Sequence, residues 1–213
     1  MKRSLYDLCN SPGDIAGIRM IEWFCGYALN TERWSKDLTD GNCTAEYSDE
    51  IDGGVALKTG TDTNDVAQID QNFTWQYNIK GCAMIFVAKR LASAGSRYDI
   101  GFQTGYPNSQ YVAHIRNNTN DTYYRLITSA GTTSNATDFS IAEDNDFHTG
   151  KIINKERSVL GYLDGVLEAT NTTNIPQEVS VAGMGSYEPF LKCTHNASAV
   201  AETRVTYLEV WET

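Results

Sequence analysis

No stretch of the chain stays apolar for the roughly 20 residues that a bilayer-spanning helix requires, so no membrane partner is expected. Its first residues, MKRSLYDLCNSPGDIAG, carry two basic groups but then place Asp7, Asn10 and Pro12 where a secretory signal needs a continuous apolar core. Positive charge is also scarce. Against 27 Asp and Glu stand only 17 Lys and Arg, a net charge of −10 over 213 residues. Such a surface repels phosphate backbones and argues against nucleic acid as a partner. The five cysteines, Cys9, Cys25, Cys43, Cys82 and Cys193, form no C-x-x-C pair, and their number is odd. That argues against a disulfide framework and against a zinc site, and thiols left free fit folding in a reducing cytoplasm. Neither a G-x-S-x-G elbow nor a G-x-x-x-x-G-K-[ST] phosphate loop occurs.

What the chain has in quantity is strand. Short runs rich in Val, Ile, Tyr, Phe and Thr alternate with clusters of Gly, Asn, Asp and Ser. GCAMIFVAK, RYDIGFQT, QYVAHIR, TYYRLIT, FHTGKIIN, SVLGYL, VLEAT and RVTYLEVWE all read as strands, with Cys82 a small buried hydrophobe in the first. In SVLGYLDGVLEAT, Asp164-Gly165 separates two apolar runs, the chemistry of a two-residue hairpin turn. The expectation is an all-β, two-sheet antiparallel sandwich over residues 22–213 with its first and last strands adjacent. Residues 1–21 form a short N-terminal arm in this reading. Ile15, Ile18, Met20 and Ile21 make it a dense apolar patch, an assembly interface or a first edge strand. N-x-[ST] occurs seven times, at Asn42, Asn72, Asn117, Asn120, Asn135, Asn171 and Asn196, as the Asn and Thr of turns and strands would produce.

The order of these pieces resembles the concanavalin A-like (laminin-G-like) jelly-roll superfamily, in the form found among phage virion proteins. WFCGYALNTERWS resembles its opening strand and Trp-bearing turn, and DGGVALKTGTDTNDVAQI its Gly-Gly strand and following hairpin. CAMIFVAKR with RYDIGFQT resembles the central pair, FHTGKII with YLDGVLEATNTTNIP the late pairing, and RVTYLEVWE the closing strand. The resemblance implies two stacked sheets, one concave and often the ligand face. It does not assign a function, because the fold hosts lectins, glycosidases, adhesion modules and capsid decorations.

Glu50-Ile51-Asp52 begins like the catalytic box of the superfamily's β-glucanases, which set Glu, Asp and Glu at i, i+2 and i+4 or with one bulged residue. Here Gly54 takes the third place and Val55 the bulged one, so the second carboxylate of a retaining pair is missing. The box also falls early, whereas the β-glucanase box lies on a mid-chain strand. No catalytic residue is assigned. His148 matches a position that the fold often fills with a structural histidine. The oxygen-bearing side chains of TDTNDV (Asp62, Asn64, Asp65) and EDND (Glu143, Asp144, Asp146) read as solvated turns, and no metal or cofactor is expected. Tyr106, Asn108, Tyr111 and Tyr187 are the glycan-binding candidates, since aromatic faces and amides together hold sugars. The alternating Phe73, Trp75 and Tyr77 read as core.

The leading expectation is a non-enzymatic virion structural protein, a capsid decoration or fibre-associated protein assembled in the host cytoplasm. Its partners would be capsid proteins and its own copies, a trimer matching three-fold lattice positions. The alternative is a carbohydrate-binding lectin-like module acting in attachment to surface glycans, and the remote alternative is a glycoside hydrolase.

Overall fold

The computed structural model describes residues 19–24, 28–48, 53–72, 77–78, 80–91, 95–104, 111–176, 186–195 and 200–213. Strands β1 (Arg19–Trp23), β2 (Trp34–Leu38), β3 (Thr44–Tyr47), β4 (Val55–Lys58) and β5 (Val66–Gln71) lead to a short β6 (Tyr77–Asn78). Then come β7 (Gly81–Leu91), β8 (Ser96–Gln103), β9 (Val112–Asn118), β10 (Tyr123–Ala130) and β11 (Thr133–Ala142). The order closes with β12 (His148–Lys155), β13 (Ser158–Leu163), β14 (Val166–Asn171), β15 (Ser186–His195) and β16 (Glu202–Glu212). Two sheets result. The first runs β14-β13-β12-β7-β16-β4-β3 with β1 also on β16, and the second runs β11-β10-β9-β8-β15-β5-β2 with β6 also on β15. Every pairing is antiparallel, and the first strand lies beside the last, as expected.

Alternation along the strands builds the core between the sheets. From β7, Cys82, Met84, Phe86 and Ala88 face Tyr98, Ile100 and Phe102 of β8, all fully buried in one cluster. Gly150 lies opposite Phe86 in the ladder, and a methyl group added there would come within 2.2 Å of the Phe86 ring. Arg90, at the end of β7, is also buried. It crosses to the second sheet, donating to Asn117 Oδ1 at 3.1 Å and Ser96 Oγ at 3.0 Å and pairing with Glu143. A buried guanidinium needs this full set of acceptors.

The expected hairpin is present. Leu163 pairs with Val166 and Tyr162 with Leu167, while Asp164 and Gly165 have φ of 49° and 83°, the two left-handed positions of a type I′ turn. His148 packs behind it, its Nδ1 2.6 Å from Asp164 and its Nε2 3.0 Å from Asp144. Burial works against its charged form, but these two carboxylates outweigh burial and raise its pKa. The expected structural role fits this clamp.

The N-terminal boundary differs from the expectation. β1 begins at Arg19, so Met20 and Ile21 belong to the sandwich, and Met20 is buried in the common core. Its apolar surface is satisfied within its own chain, which removes it from the proposed assembly patch. Ile15 and Ile18 lie outside the described residues. So do Glu50, Ile51 and Asp52, but Gly53 and Gly54 turn with φ of 61° and 99°. A Cβ on Gly54 would stand 2.7 Å from the Val205 carbonyl, so the glycine pair serves the close approach of β16.

Gly150→Ala is expected to lower stability by about 1–3 kcal/mol through overpacking against Phe86. Urea denaturation checks this. The Gly150→Ala/Phe86→Leu double variant should lose less than the sum of the single losses, because the smaller side chain vacates the contested volume.

Candidate functional site on the second sheet

The outer face of the second sheet takes every second residue of its strands. One row across it reads Asp37, Gln68, Lys192, Asp99, Arg116, Arg125 and Asp138, each the register partner of the next. The adjacent row reads Ser35, Asp70, Phe190, Gly101, His114 and Ile127. Glu188 and Gln103 stand opposite one another in the row beyond. Polar groups thus collect on central strands whose other side is core.

Two carboxylates meet there. The Gln103 side-chain nitrogen donates to Asp70 Oδ1 at 2.9 Å and to Glu188 Oε1 at 3.1 Å, and Gln68 donates to the same Asp70 oxygen at 2.7 Å. A nitrogen shared in this way holds the two oxygens about 6 Å apart or closer, a range that includes the roughly 5–5.5 Å of retaining glycosidases. Asp70 and Glu188 are only 5% and 6% exposed. Burial pushes the Asp70 carboxyl up, the Gln68 hydrogen bond pulls it down, and the Glu188 charge raises it further, to about 7. A carboxyl that keeps its proton near neutrality, beside a second carboxylate, has the form of a general acid with its partner.

Asp99 lies on the same face with the opposite outcome. Its carboxylate is 2.7 Å from Arg116 Nε, 3.0 Å from Arg97 Nε and 3.1 Å from His114 Nε2. Burial would raise its pKa, yet His114, Arg97 and Arg116 hold it well below the usual carboxylate range. Burial in turn lowers the pKa of His114 despite Asp99, which favours the neutral ring. Gly101 completes the outward positions of β8. A Cβ there would fall 2.2 Å from the Ala113 carbonyl, so β9 leaves no room for a side chain between Asp99 and Gln103.

The sequence candidates fall elsewhere. Tyr187 is fully buried, its ring stacked on Phe102 at 5.4 Å and 17°, so it belongs to the core and not to a sugar platform. Tyr111 is half-buried beside the second sheet, its carbonyl accepting from the Thr104 amide at 3.1 Å. Tyr106 and Asn108 lie outside the described residues. Tyr77 is core, as expected, and Phe73 and Trp75 are not described. Of the calcium-like turns, Asp65 joins Asp40 and Cys43 in a cluster whose ligand atoms lie within 4.8 Å of one another. Backbone amides already use these atoms: Asn42 and Cys43 donate to Asp40, Gly60 to Cys43 Sγ, and Asp62 to Asp65. Glu143 and Asp144 serve Arg90 and His148. Sequence reasoning missed Asp70, Gln103 and Glu188. The available signal was alternation: Gln68 and Asp70 in AQIDQ, Arg97, Asp99 and Gln103 in RYDIGFQ, and Glu188 beside the inward Tyr187.

No protein-family model matches the chain, and no curated protein does either. Solved structures do. A Bacillus licheniformis β-glucanase superposes with a TM-score of 0.65 at 16% identity, over 92% of this chain and 98% of that one. The laminarinase catalytic domain of Thermotoga maritima gives 0.67 at 13% identity, over 91% and 96%. A pseudo β-1,3-glucanase and immunostimulatory antigen of Mycobacterium tuberculosis gives 0.66 at 13%, over 91% and 98%. The fold is therefore the concanavalin A-like jelly roll that the motif order implied. The expectation of a non-enzymatic virion protein is corrected: the structural neighbours are glucanases and related glycoside hydrolases, and nothing supports a phage context. The Glu50-Ile51-Asp52 box lies within one short stretch of sequence, whereas the carboxylates of this face come together from β5 and β15.

Asp70 is expected to titrate near pH 7, read by carbon-detected NMR of its carboxyl, and Glu188→Gln should lower that value by removing the like charge. Because the folded pKa lies above 3.8, Asp70 contributes stability below about pH 4 that is lost as pH rises to about 7. Asp70→Asn should flatten that decline in denaturation midpoints.

Proposed function

We propose that the chain is a glycoside hydrolase acting on a β-linked glycan laid across the outer face of the second sheet. The carrying observation is the Asp70–Glu188 pair, bridged by Gln103, in which burial and the Glu188 charge push the Asp70 carboxyl up to about 7. The glucanase and laminarinase names of the structural neighbours support this choice of substrate. In the first step Glu188 attacks the anomeric carbon. The glycosidic C–O bond breaks with its electron pair on the departing oxygen, which takes the Asp70 proton. In the second, Asp70 as carboxylate draws a proton from water, and the resulting hydroxide displaces Glu188 from the sugar. The retaining course needs carboxyl groups roughly 5–5.5 Å apart, a spacing that the shared Gln103 nitrogen permits. Gln103 positions both carboxyl groups, and Gln68 holds Asp70.

Release of reducing ends from laminarin and mixed-linkage β-glucan tests the reading. The wild type should cleave at least one of them, with the basic limb of its pH profile near 7. Asp70→Asn and Glu188→Gln should each reduce kcat by about 100-fold or more. Glycan binding without turnover, or variants as active as the wild type, would contradict the assignment.

A further inference from the structure

The part of the face beside the acid pair carries more positive charge than its own structure requires. Asp99 is a single buried carboxylate, and Arg97 and Arg116 both reach it through Nε. Lys192 is its cross-strand neighbour on β15 yet forms no ion pair among the described residues. Arg97, Arg116 and Lys192 therefore lie around Asp99, in a chain whose net charge is −10, and Lys192 also feels the Asp37 and Asp70 charges. Arg125, next in the row, is different: Asp121 and Asp138 both pair with it. Asp37 stands at the far end of the row, separated from Lys192 by Gln68.

The three cations are accessible in part. The side chains of Arg97 and Arg116 are 22% and 24% exposed, and Lys192 is half-buried. Burial lowers the Lys192 pKa, the Asp99 charge opposes this, and the Arg97 charge adds to the lowering, so an arriving anion would stabilise the ammonium. Arg116 donates to Asp99 through Nε, and Arg97 reaches it by charge at 3.0 Å, so among the described residues no hydrogen bond occupies the terminal nitrogens of these two guanidinium groups, the planar fork that grips a carboxylate. The patch shares its face with the acid pair. Lys192 lies four residues along β15 from Glu188, about 13 Å, so a glycan seated on the pair and running along β15 would pass over it.

We propose that Arg97, Arg116 and Lys192 form a subsite for a sugar carboxylate, so that the glycan acted on contains uronic acid residues. This rests on the glycoside hydrolase reading and narrows its substrate class.

Matched polymers test it: laminarin and mixed-linkage β-glucan, each beside its C6-oxidised form, in which the hydroxymethyl group has become a carboxylate. Binding is measured by calorimetry and cleavage by reducing ends, with the full-length protein. The oxidised form should bind about 10-fold more tightly, with the advantage fading as salt is raised. Lys192→Gln should close most of that gap. It is the informative variant, because Arg116→Gln also deprives buried Asp99 of a partner. Equal or weaker binding of the oxidised polymers, with neutral ones still cleaved, would overturn the subsite and leave the hydrolase reading standing. If no polymer of either kind is bound or cleaved, both fall together.

Discussion

The two-residue alternation of β8 and β15 constrains everything else in the second sheet. These neighbouring central strands send Tyr98, Ile100, Phe102, Tyr187, Leu191 and Cys193 into the core. The same pleat sends Arg97, Asp99, Gln103, Glu188, Phe190 and Lys192 to the outer face. A slip of one residue would place four charges between the sheets and expose six apolar or aromatic side chains. The register that protects the core therefore also assembles the candidate site. Arg90 reinforces it from the first sheet, since its bonds to Ser96 and Asn117 fix the ends of β8 and β9.

Within that frame, partners decide what a buried carboxyl does. Asp99 and Asp70 lie on adjoining rows of one face and are almost equally buried. Asp99 is surrounded by arginines and a histidine and stays ionised, whereas Asp70 is held by two amides beside Glu188 and is pushed up to about 7. Amides satisfy an oxygen without neutralising its charge, so they leave the desolvation cost in place. The face is thereby divided into a cationic part and a proton-holding part, and the proposed chemistry depends on that division.

The strands were legible because their alternation and turn residues agree. Asp164-Gly165 specified its turn through residues that tolerate positive φ, and the pairing of β1 with β16 followed from the motif order. β15 was not legible. Pro189 sits inside it, and proline argues against a central strand, but it lies between the stretch paired with β6 and the stretch paired with β5. That proline keeps SYEPF from reading as a strand, and with it the alternation that turns Tyr187 inward and Glu188 outward. The Asp70–Glu188 pair was invisible for a related reason. Its members are far apart in sequence, and only the β5–β15–β8 ladder joins them through Gln103.

The central claim, that Glu188 is the nucleophile opposite an acidic Asp70, can be tested by trapping. A 2-deoxy-2-fluoro glycoside with a good leaving group slows hydrolysis of a glycosyl–enzyme ester enough for mass spectrometry of the protein and its peptides. The account predicts one sugar adduct per chain, on the peptide containing Glu188, and no adduct in Glu188→Gln. An adduct on another carboxylate, or turnover of the reagent with no adduct, would contradict it.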